Sequence, residues 1–219
     1  RFYPVCMVVP HIKQFRALML PQVLLIHGFN VKDRGVGSVG ELRGYLAAEG
    51  FPYHIMKYGF FELWKTRTKN DDVARDVAAF VKNSDRPVVI IGHSNGCTIT
   101  YLAMRYYDAV PIHCVFVNPA LPADITLPKV CSYDVWHSPS DKPVKWARML
   151  PKSKWRPWGA MGAYGATKNG TNRGVDVIDY NKEKDYSVSS AGHSDVFKTP
   201  LLSYFGPKII QTMKKRIGL

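Results

Sequence analysis

The sequence lacks the features that would place it in a membrane or in an oxidising compartment. In its 219 residues no apolar run approaches the ~20 residues that a membrane-spanning helix needs. The apolar stretch 5–9 is too short, and too closely flanked by prolines, for a secretory signal. The four cysteines are widely spaced without a Cys-x-x-Cys pair, and we expect them to be buried thiols in a reducing compartment. These absences predict a cytoplasmic protein.

Acidic residues are also scarce. The 17 Asp and Glu residues stand against 30 Lys and Arg residues, which gives a formal net charge of +13. Such a charge favours anionic partners, among them nucleic acid, anionic lipid and acidic polysaccharide. Charge alone does not select among these classes, and no feature of the sequence indicates an oligomeric state.

The sequence has no internal repeat, linker or low-complexity tract, and its length suits one α/β domain over residues 1–219. Apolar runs typical of buried strands alternate with segments of helical periodicity. This alternation predicts a mostly parallel central sheet with helices on both faces. The connection 120–128 leaves no room for a cap domain.

The predicted elements have the following bounds. Helices are expected from a capping box at Ser38, from Asn70 and over 207–217. The segment 141–174 is expected to be a long loop with one short helix near 144–149. The predicted strands occupy residues 22–30, 52–58, 88–91, 111–119, 130–136 and 175–180.

One motif carries chemistry. Gly92-His93-Ser94-Asn95-Gly96 follows an apolar strand and precedes a helical segment. In that context Gly-x-Ser-x-Gly predicts a strained turn that lifts the serine oxygen clear of the sheet. Side chains at the two glycine positions would collide with neighbouring backbone. Ser94 is therefore the candidate nucleophile.

A serine hydroxyl reacts only with a base beside it, an acid that orients the base, and donors for the oxyanion. His193, in a small-residue loop before the closing helix, is the candidate base, whereas His113 lies inside a strand and is expected to be structural. Asp141 follows a predicted strand and is preferred as the acid over Asp134, which lies within that strand.

The remaining site residues surround this group. The backbone N–H groups of Phe29 and Asn95 are the candidate oxyanion donors, and the His27 ring is expected to hold the loop that carries Phe29. The aromatic residues proposed to line a substrate groove are Phe60, Phe61, Trp64 and Trp158.

Four segments, taken in order, resemble the α/β-hydrolase superfamily from Val23 to the end of the chain. His27-Gly28-Phe29, Gly92 to Gly96, Ser140 to Val144 and Gly192-His193 are similar to that superfamily's oxyanion, nucleophile, acid and base positions. The resemblance implies the α/β-hydrolase fold and hydrolysis of an ester, thioester or related acyl bond through an acyl-enzyme, without metal or organic cofactor. Lacking a lid, the chain is similar to small lidless esterases and cutinase-like enzymes.

We therefore expect a serine carboxylesterase with a small-molecule or lipid-like ester substrate, anionic esters included. Two alternatives stay open. The first is a thioesterase or amidase with the same triad. The second is a nucleic-acid or membrane-surface binding protein on a hydrolase scaffold, suggested by the net charge of +13.

A basic, aromatic segment follows the candidate acid. It interleaves Trp146 and Trp155 with cations and contains no acid. It is either a docking surface for an anionic substrate or a lipid interface, or a solvated loop whose tryptophans pack on the core. Its cations are Lys142, Lys145, Arg148, Lys152, Lys154 and Arg156.

Overall fold

A computed structural model describes residues 20–29, 31–60, 62–167 and 192–219, together with the backbone of 175–179. Phe61 and the first cysteine, Cys6, lie outside the described residues. Cys97 and Cys114 are buried, and Cys131 is half-buried.

The centre of the molecule is a six-stranded sheet in which every neighbouring pair is parallel. Its strands are β1 (Gln22–Ile26), β2 (Tyr53–Met56), β3 (Val88–His93), β4 (His113–Val117), β5 (Ser132–His137) and β6 (Val175–Asp179). They lie in the order β2-β1-β3-β4-β5-β6. This order confirms the predicted α/β-hydrolase fold with a parallel sheet.

Helices cover both faces of the sheet. They are α1 (Arg43–Ala48), α2 (Thr66–Asn83), α3 (Asn95–Tyr106), α4 (Lys142–Ala147), α5 (Met161–Tyr164) and α6 (Leu201–Ile217), with 3-10 turns at Val39–Leu42, Leu63–Lys65 and Asp195–Phe197. Among the described residues, none of these helices has the length and apolar character needed to cross a bilayer.

The strands divide their side chains between two cores, as the period of two in a strand requires. On one face Leu24, Ile90 and Phe116 pack with α2 and α3. On the other face Leu25 and Ile91 pack with α1 and α6. Burial on both faces explains why the strands read as continuous apolar runs rather than as alternating ones.

Two predicted helix starts are wrong, and at a third the predicted cap is missing. Helix α2 begins at Thr66, because the Thr66 hydroxyl donates to the Leu63 carbonyl at 2.6 Å and joins the helix to the preceding 3-10 turn. Helix α6 begins at Leu201, and Pro207 lies inside it, with Leu201 and Phe205 already buried before the proline. Ser38 is the N-cap of the 3-10 turn that leads into α1, where the helix start was predicted, but its hydroxyl donates to the Gly35 carbonyl at 3.3 Å and makes no side-chain cap, so the predicted capping box is absent.

The parallel strands bring the segments of interest to one edge of the sheet. Because every strand runs the same way, the chain leaves β1, β3, β4, β5 and β6 at the same edge. Ser94 donates its N–H to the Val117 carbonyl at 3.0 Å, and Asn118 donates its N–H to the Trp136 carbonyl at 2.8 Å. Adjacent strand ends are therefore tied together beneath the candidate site.

Candidate active site

The turn that carries Ser94 has the predicted strain. Ser94 has φ 56° and ψ −119°, a conformation that side chains rarely adopt, between β3 and α3. A Cβ at Gly96 would lie 2.2 Å from the Ile26 carbonyl oxygen, and one at Gly92 would lie 3.0 Å from the Cys97 nitrogen. The predicted collision is therefore present at Gly96, whereas a Cβ at Gly92 would be crowded against the backbone without a hard collision.

The loop after β1 passes directly over the serine. A Cβ at Gly28 would lie 2.9 Å from the Ser94 Cβ and 3.4 Å from its Oγ. Only glycine permits this approach. Phe29, next in the chain, forms part of the cavity wall beside Ser94, and Asn95 is the first residue of α3. Asn95 thus directly follows the serine in the chain, and Phe29 directly follows Gly28, the residue that packs against the serine.

Tyr58 holds this loop and was missed by the sequence analysis. Its hydroxyl donates to the His27 carbonyl and, at 3.1 Å, to the Gly28 carbonyl. The Tyr58 ring stacks on the His27 ring with 3.9 Å between centroids. His27 Nδ1 donates to the Gly28 carbonyl at 2.8 Å, which agrees with the loop-holding role expected for it. Burial lowers the pKa of His27 and raises that of Tyr58, so both stay neutral.

Asp141 and His193 form a hydrogen bond. His193 Nδ1 donates to Asp141 Oδ2 at 2.7 Å. The other carboxylate oxygen, Oδ1, accepts the Val144 N–H at 3.1 Å, because Asp141 is the N-cap of α4. Asp141 is fully buried, and helix α4 fixes its orientation.

Two further side chains hold the loop that carries His193. The His193 carbonyl accepts one hydrogen bond from His93 Nε2 at 3.0 Å and another from Asn118 Nδ2 at 2.7 Å. Burial, and to a smaller extent the nearby His193, lower the pKa of His93 to about 3. His93 is therefore a neutral donor. No sequence pattern indicated this role for either residue, although Asn118 directly follows the end of β4, where site residues are expected.

The Asn95 side chain points to the opposite wall. Its Oδ1 accepts the indole N–H of Trp158 at 2.7 Å, and its Nδ2 donates to Asn70 Oδ1 at 2.8 Å. Asn70 also donates to the Trp155 carbonyl at 2.9 Å. Asn70, predicted to start a helix, instead lies inside α2 and joins that helix to the loop before Trp158. No motif indicated this role.

A cavity of about 420 Å³ opens beside these residues. Of the aromatic residues predicted to line a groove, Trp158 does so, and its ring lies 5.5 Å from that of Phe29. Phe60 and Trp64 are exposed and are not among the described lining residues, because Leu63 turns inward in their place. The lining residues are Phe29, Leu63, Ser94, Ala120, Pro143, Val144, Trp146, Ala147, Leu150, Trp158 and His193.

The basic, aromatic segment is divided between core and surface. Arg156 is buried, donates to the Pro151 carbonyl at 2.6 Å and lies 5.6 Å from the centre of the Trp158 ring. Trp155 packs edge-on against Tyr106. Trp146, in contrast, is exposed at the cavity mouth. The short helix predicted near 144–149 is α4, at 142–147, and α5 is a second one.

Comparison with known proteins identifies the family. A model of the alpha/beta hydrolase family matches residues 23–197. The chain belongs to the alpha/beta hydrolase family. This membership supports a hydrolase activity. No curated protein matches the chain in sequence.

Solved structures of other alpha/beta hydrolases share the fold. The monoacylglycerol lipase of Paleococcus ferrophilus matches 90% of this chain and 96% of its own at 10% identity, with a TM-score of 0.61. Alpha/beta hydrolase domain-containing protein 10 from mouse matches 90% and 91% at 13% identity, with a TM-score of 0.58. Est1E from Butyrivibrio proteoclasticus, solved with ferulic acid bound, matches 91% and 90% at 11% identity, with a TM-score of 0.58.

This alpha/beta hydrolase contains a second group of serine, histidine and aspartate. His113 Nδ1 bonds to Ser132 Oγ at 2.8 Å, and His113 Nε2 bonds to Asp134 Oδ2 at 3.1 Å. Asp134 Oδ1 accepts from Arg216 Nε at 3.3 Å. His113 and Asp134 are fully buried within β4 and β5, which agrees with the structural role expected for His113.

Proposed function

We propose that the protein is a serine hydrolase that cleaves a carboxylic ester through an acyl-enzyme. Ser94 is the nucleophile, His193 the base, Asp141 the residue that orients it, and the N–H groups of Phe29 and Asn95 the oxyanion donors. The observation that carries the proposal is the shared cavity. Ser94, on a strained turn, and His193, hydrogen-bonded to Asp141, line the same cavity of about 420 Å³.

The geometry supports a definite proton path. Because His193 Nδ1 donates its proton to Asp141, the lone pair of the ring is on Nε2. Nε2 takes the proton of Ser94 Oγ as that oxygen attacks the ester carbonyl carbon. The carbonyl oxygen gains the negative charge, which the two backbone N–H groups stabilise. Protonated Nε2 then gives its proton to the departing alcohol, leaving the acyl group on Ser94.

The second half repeats these steps with water. His193 Nε2 removes a proton from a water molecule, whose oxygen attacks the acyl carbon. Collapse of the second tetrahedral intermediate returns the proton to Ser94 Oγ and releases the carboxylic acid. The rest of the cavity wall, Ala120, Val144 and Leu150 among it, is mostly apolar and suits a hydrocarbon acyl group. Thioesters and amides react by the same steps, so a panel of matched esters, thioesters and amides ranks the three bond types.

The proposal is tested by covalent labelling. The parent protein is expected to react with a fluorophosphonate probe and to hydrolyse p-nitrophenyl esters, and Ser94→Ala to lose both, with kcat falling about 10⁵-fold or more. Ser132→Ala is the matched control, because Ser132 also bonds to a histidine but lies in β5. A parent protein that never labels, or labelling that survives in Ser94→Ala, would falsify the serine mechanism.

A further inference from the structure

The mouth of the cavity carries large apolar side chains that face water. Trp64 is 70% exposed, Trp146 60% and Met149 80%. Trp146 itself lines the cavity, Trp64 directly follows the lining residue Leu63, and Met149 directly precedes the lining residue Leu150. The three residues therefore belong to the two segments that border the cavity, the 3-10 turn before α2 and the stretch at and just after the end of α4. We call Trp64, Trp146, Met149, Arg148 and Lys152 the mouth rim.

Cations accompany these apolar groups. Arg148 and Lys152 are exposed, and no carboxylate lies within ion-pair distance of either in the described part of the chain. The described residues 142–167 include no acid. Across the opening, Glu62 is paired with Lys65 at 3.2 Å, and the Lys65 ammonium lies 4.7 Å from the centre of the Trp64 ring. The opening is thus bordered by positive charge that is not neutralised locally.

We infer that the mouth rim docks on an anionic lipid surface. Exposed tryptophan beside cations matches the boundary of a bilayer, where indole rings lie at headgroup level and Lys or Arg contacts anionic headgroups. The net charge of +13 adds long-range attraction to the same partner.

The position of the cavity selects lipid over nucleic acid. A mostly apolar cavity of about 420 Å³ opens between the two sides of the mouth rim, so a hydrocarbon chain can pass from a bilayer to Ser94 without crossing water. Exposed indole rings suit base stacking as well as lipid headgroups, so the apolar cavity and the apolar Met149 side chain, rather than Trp64 and Trp146, favour lipid. The inference uses the proposed function only for this path; docking itself needs no catalysis.

Binding is measured with Ser94→Ala protein, so that its outcome is independent of ester hydrolysis. The probes are sedimented vesicles of phosphatidylcholine, alone or mixed equally with phosphatidylglycerol. We expect binding to the mixed vesicles that weakens in high salt, because salt screens exposed charges. Adding Arg148→Gln and Lys152→Gln is expected to lower the affinity on the order of tenfold, and adding Trp64→Ser and Met149→Ser about tenfold or more.

Matched controls lie at the far edge of the sheet. Lys82→Gln with Lys215→Gln removes the same charge from exposed sites, and Val110→Ser with Ile112→Ser removes two exposed apolar groups near the start of β4. Both control pairs are expected to bind as the parent does. Rim variants that bind like the parent, or controls that lose as much, overturn the inference. A third outcome also overturns it. In that outcome Arg148→Gln/Lys152→Gln loses binding to vesicles and to duplex DNA equally, and Trp64→Ser/Met149→Ser binds both as the parent does.

Proteins that keep Ser94, with and without the mouth-rim substitutions, separate this inference from the proposed function. If p-nitrophenyl esters are hydrolysed but binding does not depend on the mouth rim, docking is wrong and ester hydrolysis stands. If binding depends on the mouth rim but the fluorophosphonate never labels Ser94, docking stands and the serine mechanism is wrong. With both correct, Arg148→Gln/Lys152→Gln is expected to keep turnover of a soluble ester and to lose about tenfold on esters presented in anionic vesicles.

Discussion

The molecule contains the same three residue types in two places, and only one of them has the surroundings of an active site. Ser94, His193 and Asp141 follow the carboxyl ends of β3, β6 and β5. Ser132, His113 and Asp134 lie within or at the start of β4 and β5. Both groups contain a histidine–aspartate hydrogen bond, of 2.7 Å in the first and 3.1 Å in the second.

The difference lies in the backbone and the space around the serine. Ser94 has a positive φ of 56° and lines a cavity of about 420 Å³. Ser132 belongs to a regular strand, and its histidine partner, His113 in the neighbouring strand β4, is fully buried. A nucleophile needs room for the substrate and donors for the oxyanion as well as a base. The Ser132 group has its polar atoms satisfied by one another and by Arg216, which is what a buried structural cluster requires.

The largest expected contrast is between the two aspartates. Asp141→Asn is expected to lower kcat by about 10⁴, because an amide at this position stops favouring the His193 tautomer with its lone pair on Nε2. Asp134→Asn is expected to leave kcat within about twofold and to lower the free energy of unfolding by about 1–3 kcal/mol, since it weakens a buried hydrogen bond to His113 and a half-buried one to Arg216. Ester kinetics and urea unfolding of both variants measure this. Equal kinetic losses would erase the distinction between the two groups.

A smaller effect is expected from the support of the His193 loop. Asn118→Ala removes one of the two donors to the His193 carbonyl, the bond of 2.7 Å. A looser loop is expected to lower kcat about tenfold while KM stays unchanged, because Asn118 is not among the cavity-lining residues. Steady-state kinetics on a p-nitrophenyl ester, with the exposed Asn83→Ala as control, measures the split. An unchanged kcat with lowered stability would assign Asn118 a structural role only.

Much of the fold was predictable because its signals are local. Strands buried on both faces give continuous apolar runs, and the steric demands at Gly92 and Gly96 can be recognised from five adjacent residues. The rule that parallel strands present their carboxyl ends at one edge then connected Ser94 to Asp141 and His193. The starts of α2 and α6 were not predictable in this way, because burial of Leu201 and the turn before Thr66 override local propensity.

The residues that hold the candidate site in place could not be predicted either, because their contacts are not local in sequence. The contacts of Asn70 with Asn95 and of Tyr58 with the His27–Gly28 backbone join residues far apart in sequence. Neither residue belongs to a motif, and each pairing depends on how α2 and the loop after β2 pack. Likewise Leu63 rather than Trp64 forms part of the cavity wall. The two residues are neighbours in one turn, and the sequence does not indicate which of them faces the cavity.

The last prediction concerns how the free energy of unfolding depends on pH through a buried histidine beside the active site. His93 is buried, and its pKa is lowered to about 3 from an ordinary value of 6.5. Between these values the unfolded chain binds a proton at His93 and the folded chain does not. The free energy of unfolding is therefore expected to fall, as pH drops from 6.5 towards 3, with a His93 contribution of about 1.4 kcal/mol per pH unit.

The variant His93→Gln removes this contribution and keeps an amide that can donate to the His193 carbonyl. Its stability is expected to fall less steeply below pH 6.5 than that of the parent. Burial also lowers the pKa of His27, so part of the slope remains. Urea unfolding across this pH range measures both proteins, and parallel curves for His93→Gln and the parent would show that His93 is protonated in the folded protein.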